Sequence, residues 1–345
     1  MKSNEKKPIT YSKAIMIPLS RLCRNKCQFC GFVGEDKLSV PYRTIKMFKE
    51  AKSKGIKEAV FEIGERPDKF NEVRSLLDLW GFSSYVNYVY TVCELSFLEG
   101  LIPTIEAGFF SPKELIKLKE IVASIKIMID CMDEKILKSD IFSESPGKKI
   151  ELVERNLIYA GKLKFPVVTG IMVGLGESNL SRKKTLEYIN KLHEEFGHIQ
   201  EVVIQPFIPV KGTPLAKKKM PTQGSIIKVV KMARDILRED INISVPLNFM
   251  GDPKPFIRAG VNDLGRIFEG DDLIAGDHRF PNIKKIEVVL KKHGNFLEQR
   301  LPITQKYIKE GWYSQKLGQV LDNYKYKFKK EEQSYKDKKD KNAKK

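Results

Sequence analysis

Three cysteines lie within eight residues of one another near the beginning of the chain. They are Cys23, Cys27 and Cys30, in a C-x3-C-x2-C pattern. Three thiolates on one loop can bind three irons of a 4Fe–4S cubane and leave the fourth iron open to a small molecule. A structural zinc ion usually takes four ligands from two separated pairs, and the remaining cysteines, Cys93 and Cys131, have no histidine beside them. The pattern therefore favours an open iron–sulfur cluster over zinc.

The composition of the 345-residue chain is that of a globular protein, with 41% hydrophobic and 31% charged residues. Five cysteines with no disulfide framework indicate a reducing compartment, which we expect to be the cytoplasm. The longest nearly apolar stretch, residues 165–176, is too short to span a bilayer, and we expect neither a secretory signal nor a membrane partner. The net charge of +18 comes from a lysine-rich C-terminus and from dispersed lysines, so a dedicated nucleic-acid surface is not favoured.

The cysteine loop follows the first of several short apolar runs that alternate with helical patterns. Strands are predicted at residues 14–19, 58–63, 101–106, 124–130, 166–173, 201–205 and 241–246, with a weak eighth at 263–268. Helices are predicted at residues 44–53, 67–79, 111–121, 150–162, 180–195 and 225–238. Ser111 and Pro112 are expected to begin the third helix, and Gly55 and Gly161 to form left-handed helix caps. The alternation predicts an α/β fold, a complete or partial (β/α) TIM-type barrel in one domain.

We divide the chain into four segments. Residues 1–11 form a short lead-in, and residues 12–305 form the barrel, with its C-terminal strands closing a substrate pocket. A helical extension covers residues 306–323, and a lysine-rich tail predicted to be disordered covers residues 324–345. Because barrel enzymes place their function at the C-terminal ends of the strands, the residues after each strand are the candidates for chemistry.

The cysteine pattern, placed after a first strand and with Phe29 before its last cysteine, resembles the signature of radical S-adenosylmethionine (SAM) enzymes. The resemblance implies that the open iron holds the amino and carboxylate groups of SAM. It also implies that the reduced cluster cleaves SAM to methionine and a 5′-deoxyadenosyl radical, while the protein supplies orientation and a dry pocket. Further SAM contacts are implied after the second and fifth strands. They comprise Gly64, Glu65, Gly170, Gly174 and Glu177.

Several longer segments resemble one subgroup, the CofG-type subunit of 7,8-didemethyl-8-hydroxy-5-deazariboflavin (FO) synthase. They cover residues 57–67, 145–148, 169–177, 197–205, 212–214, 259–263 and 298–302, and the likeness extends over residues 12–305. It implies a radical SAM lyase and cyclase of deazaflavin cofactor biosynthesis. The implied substrate is 5-amino-5-(4-hydroxybenzyl)-6-(D-ribitylimino)-5,6-dihydrouracil, which loses a hydrogen atom, closes its ring and loses ammonia. A CofH-type partner subunit would supply this small molecule, and an electron donor would reduce the cluster.

The chain departs from the pattern of that family at three strand ends. Ser20-Arg21 replaces Thr-Asn, residues 104–108 replace His-Thr-Asn-Pro-Gly, and residues 264–269 replace Trp-Gly-Gly-x-Ser-Pro-Val-Thr. All three face the expected pocket, so Glu106 and Arg266 are candidate pocket residues. Asn248, which follows the seventh predicted strand, could also reach the substrate or could form a turn. No catalytic side chain is assigned. Two alternative functions remain, a paralogue acting on another aromatic cofactor precursor and an RNA-modifying radical SAM enzyme.

Other polar residues near strand ends allow more than one interpretation. Glu62 and Glu106 could contact substrate or SAM, or could pair with a nearby lysine or arginine. Asp277 and His278 could be pocket residues. His198 precedes the sixth strand, so its position favours a structural role.

Overall fold

The computed structural model describes residues 8–268, 278–326 and 328. The first seven residues, Glu269, Asp277 and most of the lysine-rich tail lie outside the described residues. The barrel expected over residues 12–305 therefore falls almost wholly within the described part of the chain.

Eight parallel strands form a nearly closed barrel, which confirms the predicted α/β class. The strands are β1 (Ile9–Ser20), β2 (Glu58–Ile63), β3 (Ile102–Glu106), β4 (Ser124–Lys126), β5 (Val167–Val173), β6 (Ile199–Pro206), β7 (Asn242–Ser244) and β8 (Asp263–Phe268). Hydrogen bonds join them in the order β7-β6-β5-β4-β3-β2-β1-β8. Asn262 bridges the two end strands, because its backbone N–H donates to the Ile243 carbonyl at 3.2 Å and its side-chain oxygen accepts from Ile243 N–H at 2.8 Å.

Helices lie along the chain between the strands. They are α1 (Pro41–Ser53), α2 (Asn71–Leu79), α3 (Tyr85–Leu98), α4 (Pro112–Lys119), α5 (Glu134–Leu137), α6 (Ile150–Lys162), α7 (Asn179–Phe196), α8 (Gln223–Ile236), α9 (Leu247–Met250), α10 (Lys254–Ala259), α11 (Ile283–Lys292) and α12 (Gln305–Glu310). Residues 315–326 are also helical. Ser111 caps α4 together with Glu114 in a capping box, as the sequence predicts.

Two local features differ from the sequence prediction. Helix α3 has no counterpart among the predicted helices. Apolar residues such as Tyr90 and Leu98 also occupy the side opposite its seven buried side chains, so its sequence lacks a polar stripe. Gly161 lies inside α6 and not at a cap. A Cβ atom there would lie 2.6 Å from the Phe196 ring, so the glycine permits close packing of α6 against α7. Gly55 has a φ of 72° and is a left-handed cap, as expected.

Some element boundaries also move. β1 begins at Ile9, so the end of the predicted lead-in belongs to the barrel. β4 ends at Lys126 and not at residue 130, where Asp130 has a φ of 62° that a regular strand cannot accommodate. A ninth strand, β9 (Leu297–Gln299), pairs with Ile9, Thr10 and Tyr11 at the start of β1. Its three residues are too few to give a strand pattern in the sequence.

The two ends of the barrel differ in chemistry. Apolar side chains after β9 pack against the starts of β3 and β4 and cover the N-terminal end. They include Leu301, Ile303, Tyr307, Ile308, Leu317 and Leu321. β8, and not β9, borders the open C-terminal end. In the described part of the chain, no helix has both the length and the apolar composition that a membrane crossing requires.

Candidate functional site

The C-terminal ends of the strands surround a cavity of about 360 Å³. Nine of the sequence-predicted site residues line it. They are Cys23, Cys27, Phe29, Cys30, Gly64, Glu65, Glu106, Asn248 and Arg266. This placement agrees with the expectation that barrel strands present their functional residues at one end.

Neighbouring loops hold the three cysteines from two sides. The Glu65 N–H donates to Cys23 Sγ at 3.1 Å, and Cys27 Sγ lies 3.2 Å from the Ser145 hydroxyl. The Cys30 N–H donates to the Cys27 carbonyl at 3.0 Å, which closes a turn within the loop. Burial raises the pKa of all three thiols, that of Cys27 to about 11. Iron binding must therefore release protons from them.

The geometry of the three half-buried thiols suits a cluster better than a single metal ion. Within residues 8–268 and 278–326, no three His, Cys, Asp or Glu side chains converge where one ion could bind. A cubane needs no such convergence, because each thiolate binds a different iron. Three thiols on one loop at a cavity wall are the donor set that three irons of such a cluster would need.

Gly64 allows β2 to approach the cysteine loop more closely than any other residue could. A Cβ atom at this position would lie 2.0 Å from the Leu22 carbonyl oxygen and 3.0 Å from Cys23 Cβ. The Gly64 N–H donates to the Ser20 carbonyl at 2.9 Å, which continues the strand pairing into the loop. Steric contact with the cysteine loop therefore requires a glycine at this position. This requirement is independent of any contact between Gly64 and SAM.

Glu65 joins the loops around the cysteines through its side chain. Its Oε1 accepts from the Arg24 guanidinium at 2.7 Å, and its Oε2 accepts from the Phe109 N–H at 2.6 Å. The carboxylate passes so close to Gly108 and Gly147 that a Cβ atom at either would lie within 2.5 Å of it. The side chain is therefore committed to the protein, and its backbone N–H is the group that faces the cluster loop.

The glycine-rich segment after β5 lies behind the cavity wall. Gly170, Gly174 and Glu177 are not among the described residues that line the cavity, whereas Met172 is. Glu177 accepts from the N–H groups of Gly174 at 2.8 Å and Gly176 at 2.9 Å, and Arg182 donates to it at 2.6 Å. The motif carboxylate thus fixes the turn that carries the motif glycines.

Phe29 connects the cysteine loop to the apolar part of the wall. Its ring lies 5.6 Å from that of Phe142 in an edge-to-face arrangement. The same cluster contains Cys131, Leu175 and Phe207. Cys131 is therefore a buried core thiol, as the sequence indicated.

Glu106, Lys126 and Arg266 form the charged floor of the cavity, and Glu58 of a fourth strand, β2, pairs with Arg266 outside the lining. Arg266 of β8 donates through Nε to Glu58 at 2.5 Å and through Nη1 to Glu106. Lys126 of β4 donates to the other oxygen of Glu106 at 2.6 Å. Glu58 also accepts from the Thr104 hydroxyl at 2.7 Å. Glu106 and Arg266, two residues at positions that depart from the family pattern, are therefore paired with each other.

Glu62 and Glu106 have opposite protonation preferences although they are neighbours. Burial alone raises the pKa of Glu106, but the Lys126 and Arg266 cations outweigh it and lower the pKa to about 2. Burial also raises the pKa of Glu62, and the negative charge of Glu106 raises it further, so it lies well above its usual range. Of the two interpretations open for these residues, ion pairing holds for Glu106 and fails for Glu62.

A second ion-paired group lies beside this floor and was not predicted. Arg300 donates to Asp263 at 2.5 Å and to Glu201 at 2.8 Å, and the Ser244 hydroxyl donates to Glu201 at 2.6 Å. Glu201 and Ser244 line the cavity. These residues come from β6, β7, β8 and the segment after β9, so no local sequence pattern could have grouped them.

Asp130 and Lys148 form a further pair that sequence reasoning missed. Lys148 Nζ donates to Asp130 Oδ2 at 2.6 Å, and both line the cavity. The charge of Lys148 acts on the Cys27 thiol, where it opposes the effect of burial on the pKa. Asp130 has a left-handed backbone conformation just beyond the end of β4. A carboxylate after β4 was the signal available in the sequence.

The remaining predicted residues fall at opposite ends of the barrel. Asn248 lines the cavity, and its side-chain amide donates to the His278 carbonyl at 3.2 Å. It therefore joins α9 to the segment at residue 278. His198 is fully buried before β6, with its ring 5.7 Å from that of Phe196. Burial lowers the pKa of His198 to about 3, so the ring is neutral. A buried, neutral ring at the N-terminal end of β6 agrees with the structural role that the sequence favours.

No family model matches the chain. Its sequence is nevertheless similar to the curated 7,8-didemethyl-8-hydroxy-5-deazariboflavin synthases of several organisms. That of Archaeoglobus fulgidus is 37% identical over 321 residues, which cover 92% of this chain and 97% of that protein. That of Methanococcoides burtonii is 37% identical over 320 residues, which cover 91% and 95%. That of Methanocaldococcus jannaschii is 36% identical over 318 residues, which cover 90% and 87%.

Solved structures share the fold at low sequence identity. The FeFe-hydrogenase maturase HydG from Carboxydothermus hydrogenoformans superposes with a TM-score of 0.67 at 14% identity, over 84% of this chain and 68% of that chain. Methylornithine synthase (PylB) superposes with a TM-score of 0.63 at 19% identity, over 84% of each chain. These likenesses agree with the nearly closed barrel of parallel strands.

Proposed function

Because the chain belongs to the 7,8-didemethyl-8-hydroxy-5-deazariboflavin (FO) synthase family, we propose that its cavity closes the deazaflavin ring of FO. The chain is a radical SAM enzyme of deazaflavin cofactor biosynthesis, and such enzymes use a 4Fe–4S cluster and SAM. The observation that carries the proposed reaction is that a three-thiol loop and a floor of paired charges share one cavity. When bound, the cluster and SAM supply the radical that removes a hydrogen atom from the substrate.

We assign the cluster to Cys23, Cys27 and Cys30. In this arrangement the close approach at Gly64 and the Glu65 side chain fix the position of the thiols, and Phe29 covers them from the apolar side. Gly174 and Glu177 act from behind the wall by shaping the turn after β5. Gly170, inside β5, allows the close approach of β6, because a Cβ atom there would lie 2.2 Å from the Val203 carbonyl oxygen. The residues that meet SAM directly from this direction would then be neighbours such as Met172.

The floor suits a small polar heterocycle such as the hydroxybenzyl–ribityl uracil adduct. Arg266 and Lys126 present hydrogen-bond donors, and Glu106 and Glu201 present acceptors, which match the carbonyl and N–H groups of a uracil ring. The cavity volume lies within the usual range for small-molecule sites, about 300–1,000 Å³. Asn248 and aromatic side chains of the wall would face the hydroxybenzyl part.

A second candidate substrate is another aromatic cofactor precursor. The ion pair between Glu106 and Arg266 favours it, because both residues stand at positions that depart from the family pattern. A different charged pair on the cavity floor would select ligands with different polar groups. An assay with the FO adduct separates the two substrates.

The reaction also requires other molecules. We propose that a CofH-type partner subunit supplies the adduct and that an external donor provides the electron that reduces the cluster. The five free cysteines support a reducing compartment, the cytoplasm.

The test is an anaerobic assay with reconstituted protein, reductant and SAM. We expect 5′-deoxyadenosine and fluorescent FO to form only when the hydroxybenzyl–ribityl uracil adduct is present. Deoxyadenosine without FO in the presence of the adduct would refute the FO reaction and favour another precursor.

A matched pair of variants tests the cluster ligands. Cys30→Ala should abolish deoxyadenosine formation and lower the iron content, because one iron loses its protein ligand. The control Cys93→Ala changes a buried thiol of α3 that is not part of the cavity lining. It should retain deoxyadenosine formation and iron content. Equal iron content in the two variants would contradict the assignment of Cys30.

A further inference from the structure

Three carboxyl groups and two cations meet at the floor of the cavity. Glu58 and Glu106 share the cations, since Arg266 donates to both and Lys126 donates to Glu106. Glu58 also accepts from two hydroxyl groups. Among the described residues, no lysine or arginine pairs with Glu62. One carboxyl group therefore exceeds the number of cations that could balance it.

The surroundings of Glu62 favour a proton on its carboxyl group. Glu62 is half-buried as a residue, but its Oε2 is buried and receives no hydrogen bond from the part of the chain that the structure describes. A carboxylate there would be an unpaired charge beside a second carboxylate, which is costly in a buried site. With a proton, Glu62 can instead donate to Glu106. The other charged groups that face it are Lys126 and Arg266, which pair elsewhere, and the Cys30 thiol.

Glu62 lacks the hydrogen bonds by which a structural carboxylate holds neighbouring loops together. Glu65, three residues further on, accepts bonds from Arg24 and from the Phe109 N–H and is 4% exposed. Glu62 holds no loop in this way, and its side chain lines the cavity between the cysteine loop and the charged floor. It is thus placed where SAM and substrate would meet.

We propose that Glu62 is a neutral carboxylic acid that donates its proton to the nitrogen that leaves the substrate as ammonia. This inference rests on the proposed FO reaction. As the C–N bond breaks, its electron pair moves to nitrogen, which takes the proton of Glu62. The Glu62 carboxylate then takes a proton from the neighbouring atom of the substrate, whose bonding pair forms the new double bond. Glu106, fixed by two cations, acts as a positioning residue for the donor.

The first test asks whether Glu62 holds a proton, independently of any reaction. Infrared spectra of the full chain at pH 7 report the carbonyl stretch of neutral carboxylic acids. Burial also raises the pKa of Glu201, so this residue can contribute to the same region. We expect Glu62→Gln to remove one component of that signal. The exposed helical control Glu72→Gln should leave the signal unchanged. An unchanged signal in Glu62→Gln would overturn the inference.

The second test separates hydrogen abstraction from ammonia loss. With the adduct, the Glu62→Gln enzyme should still form 5′-deoxyadenosine, whereas its yield of FO and ammonia per deoxyadenosine should fall about 100-fold or more, the usual loss for a missing general acid. Glu62→Asp should restore part of the yield. An unchanged FO yield per deoxyadenosine in Glu62→Gln would overturn the proton donor. Deoxyadenosine without FO in the unmodified enzyme would instead overturn the FO reaction, and the infrared signal would then decide the protonation of Glu62 alone.

Discussion

Gly64→Ala should loosen the cysteine loop without touching any thiol. The added Cβ would lie 2.0 Å from the Leu22 carbonyl oxygen, and real contacts of this kind essentially never fall under 3.0 Å. The backbone before Cys23 must therefore retreat by at least about 1 Å, since neither neighbour is the end of a flexible side chain. Overpacking of this kind costs about 1–3 kcal/mol. Displacing a group next to a metal ligand typically lowers metal affinity about 10–100-fold.

The assay is iron content per chain after anaerobic reconstitution at limiting iron, together with the thermal midpoint. Gly224→Ala is the matched control, because a Cβ atom at Gly224 meets nothing within 4 Å and neither glycine has a positive φ. We expect Gly64→Ala to lose iron and to unfold a few degrees lower. Gly224→Ala, in the open first turn of α8, should retain its iron and unfold no lower. Full iron loading of Gly64→Ala with an unchanged midpoint would refute the argument that the loop position depends on this close approach.

Three further predictions concern stability. Glu106→Gln removes the buried anion that Lys126 and Arg266 share and should lower the free energy of unfolding in urea by about 3–5 kcal/mol. Glu134→Gln, in an exposed pair on α5, should have no measurable effect. Similar unfolding curves for both variants would contradict the pairing of Glu106. The folded-state pKa of His198 is about 3, below the unfolded value of about 6.5. The unfolded chain thus binds the extra proton, and this residue removes up to about 1.4 kcal/mol of stability per pH unit as the pH falls below about 6.5. His198→Leu should flatten that slope in unfolding curves measured from pH 7 to pH 4, and an unchanged slope would refute the neutral buried ring. In an open helix, a Gly→Ala substitution raises the thermal midpoint. Gly161→Ala should instead lower it, because the new Cβ atom would lie 2.6 Å from the Phe196 ring. A higher midpoint would contradict the close packing of α6 against α7.

Local patterns in the sequence accounted for most of the fold. Seven predicted strands and the weak eighth correspond to β1 to β8 in the described residues, because parallel barrel strands are short, apolar on both faces and separated by amphipathic helices. Helix α3 was not predicted, since apolar residues also occupy its less buried side and leave no polar stripe. The three residues of β9 gave too little signal, and the left-handed Asp130 shortened β4.

The position of the cysteine loop and Gly64 at one site could be predicted from the sequence alone. Their chemistry depends on residues that are close in the chain or directly follow a strand, and a thiol triplet has few other uses. Sequence reasoning did not reveal what the carboxylates of Glu65 and Glu177 bind. Both stand at motif positions, yet their carboxylates bond to the protein's own backbone and arginines.

The charged floor was decided only by the tertiary structure. Glu106 meets an arginine 160 positions further along the chain, and Arg300 reaches Glu201 across 99 positions. The ionisation of each carboxyl group depends on which cations the barrel brings to it, a sum over several strands that no single segment contains. That is why Glu62 and Glu106, two strand-end glutamates of equal appearance in the sequence, become a proton holder and a paired anion in the folded chain.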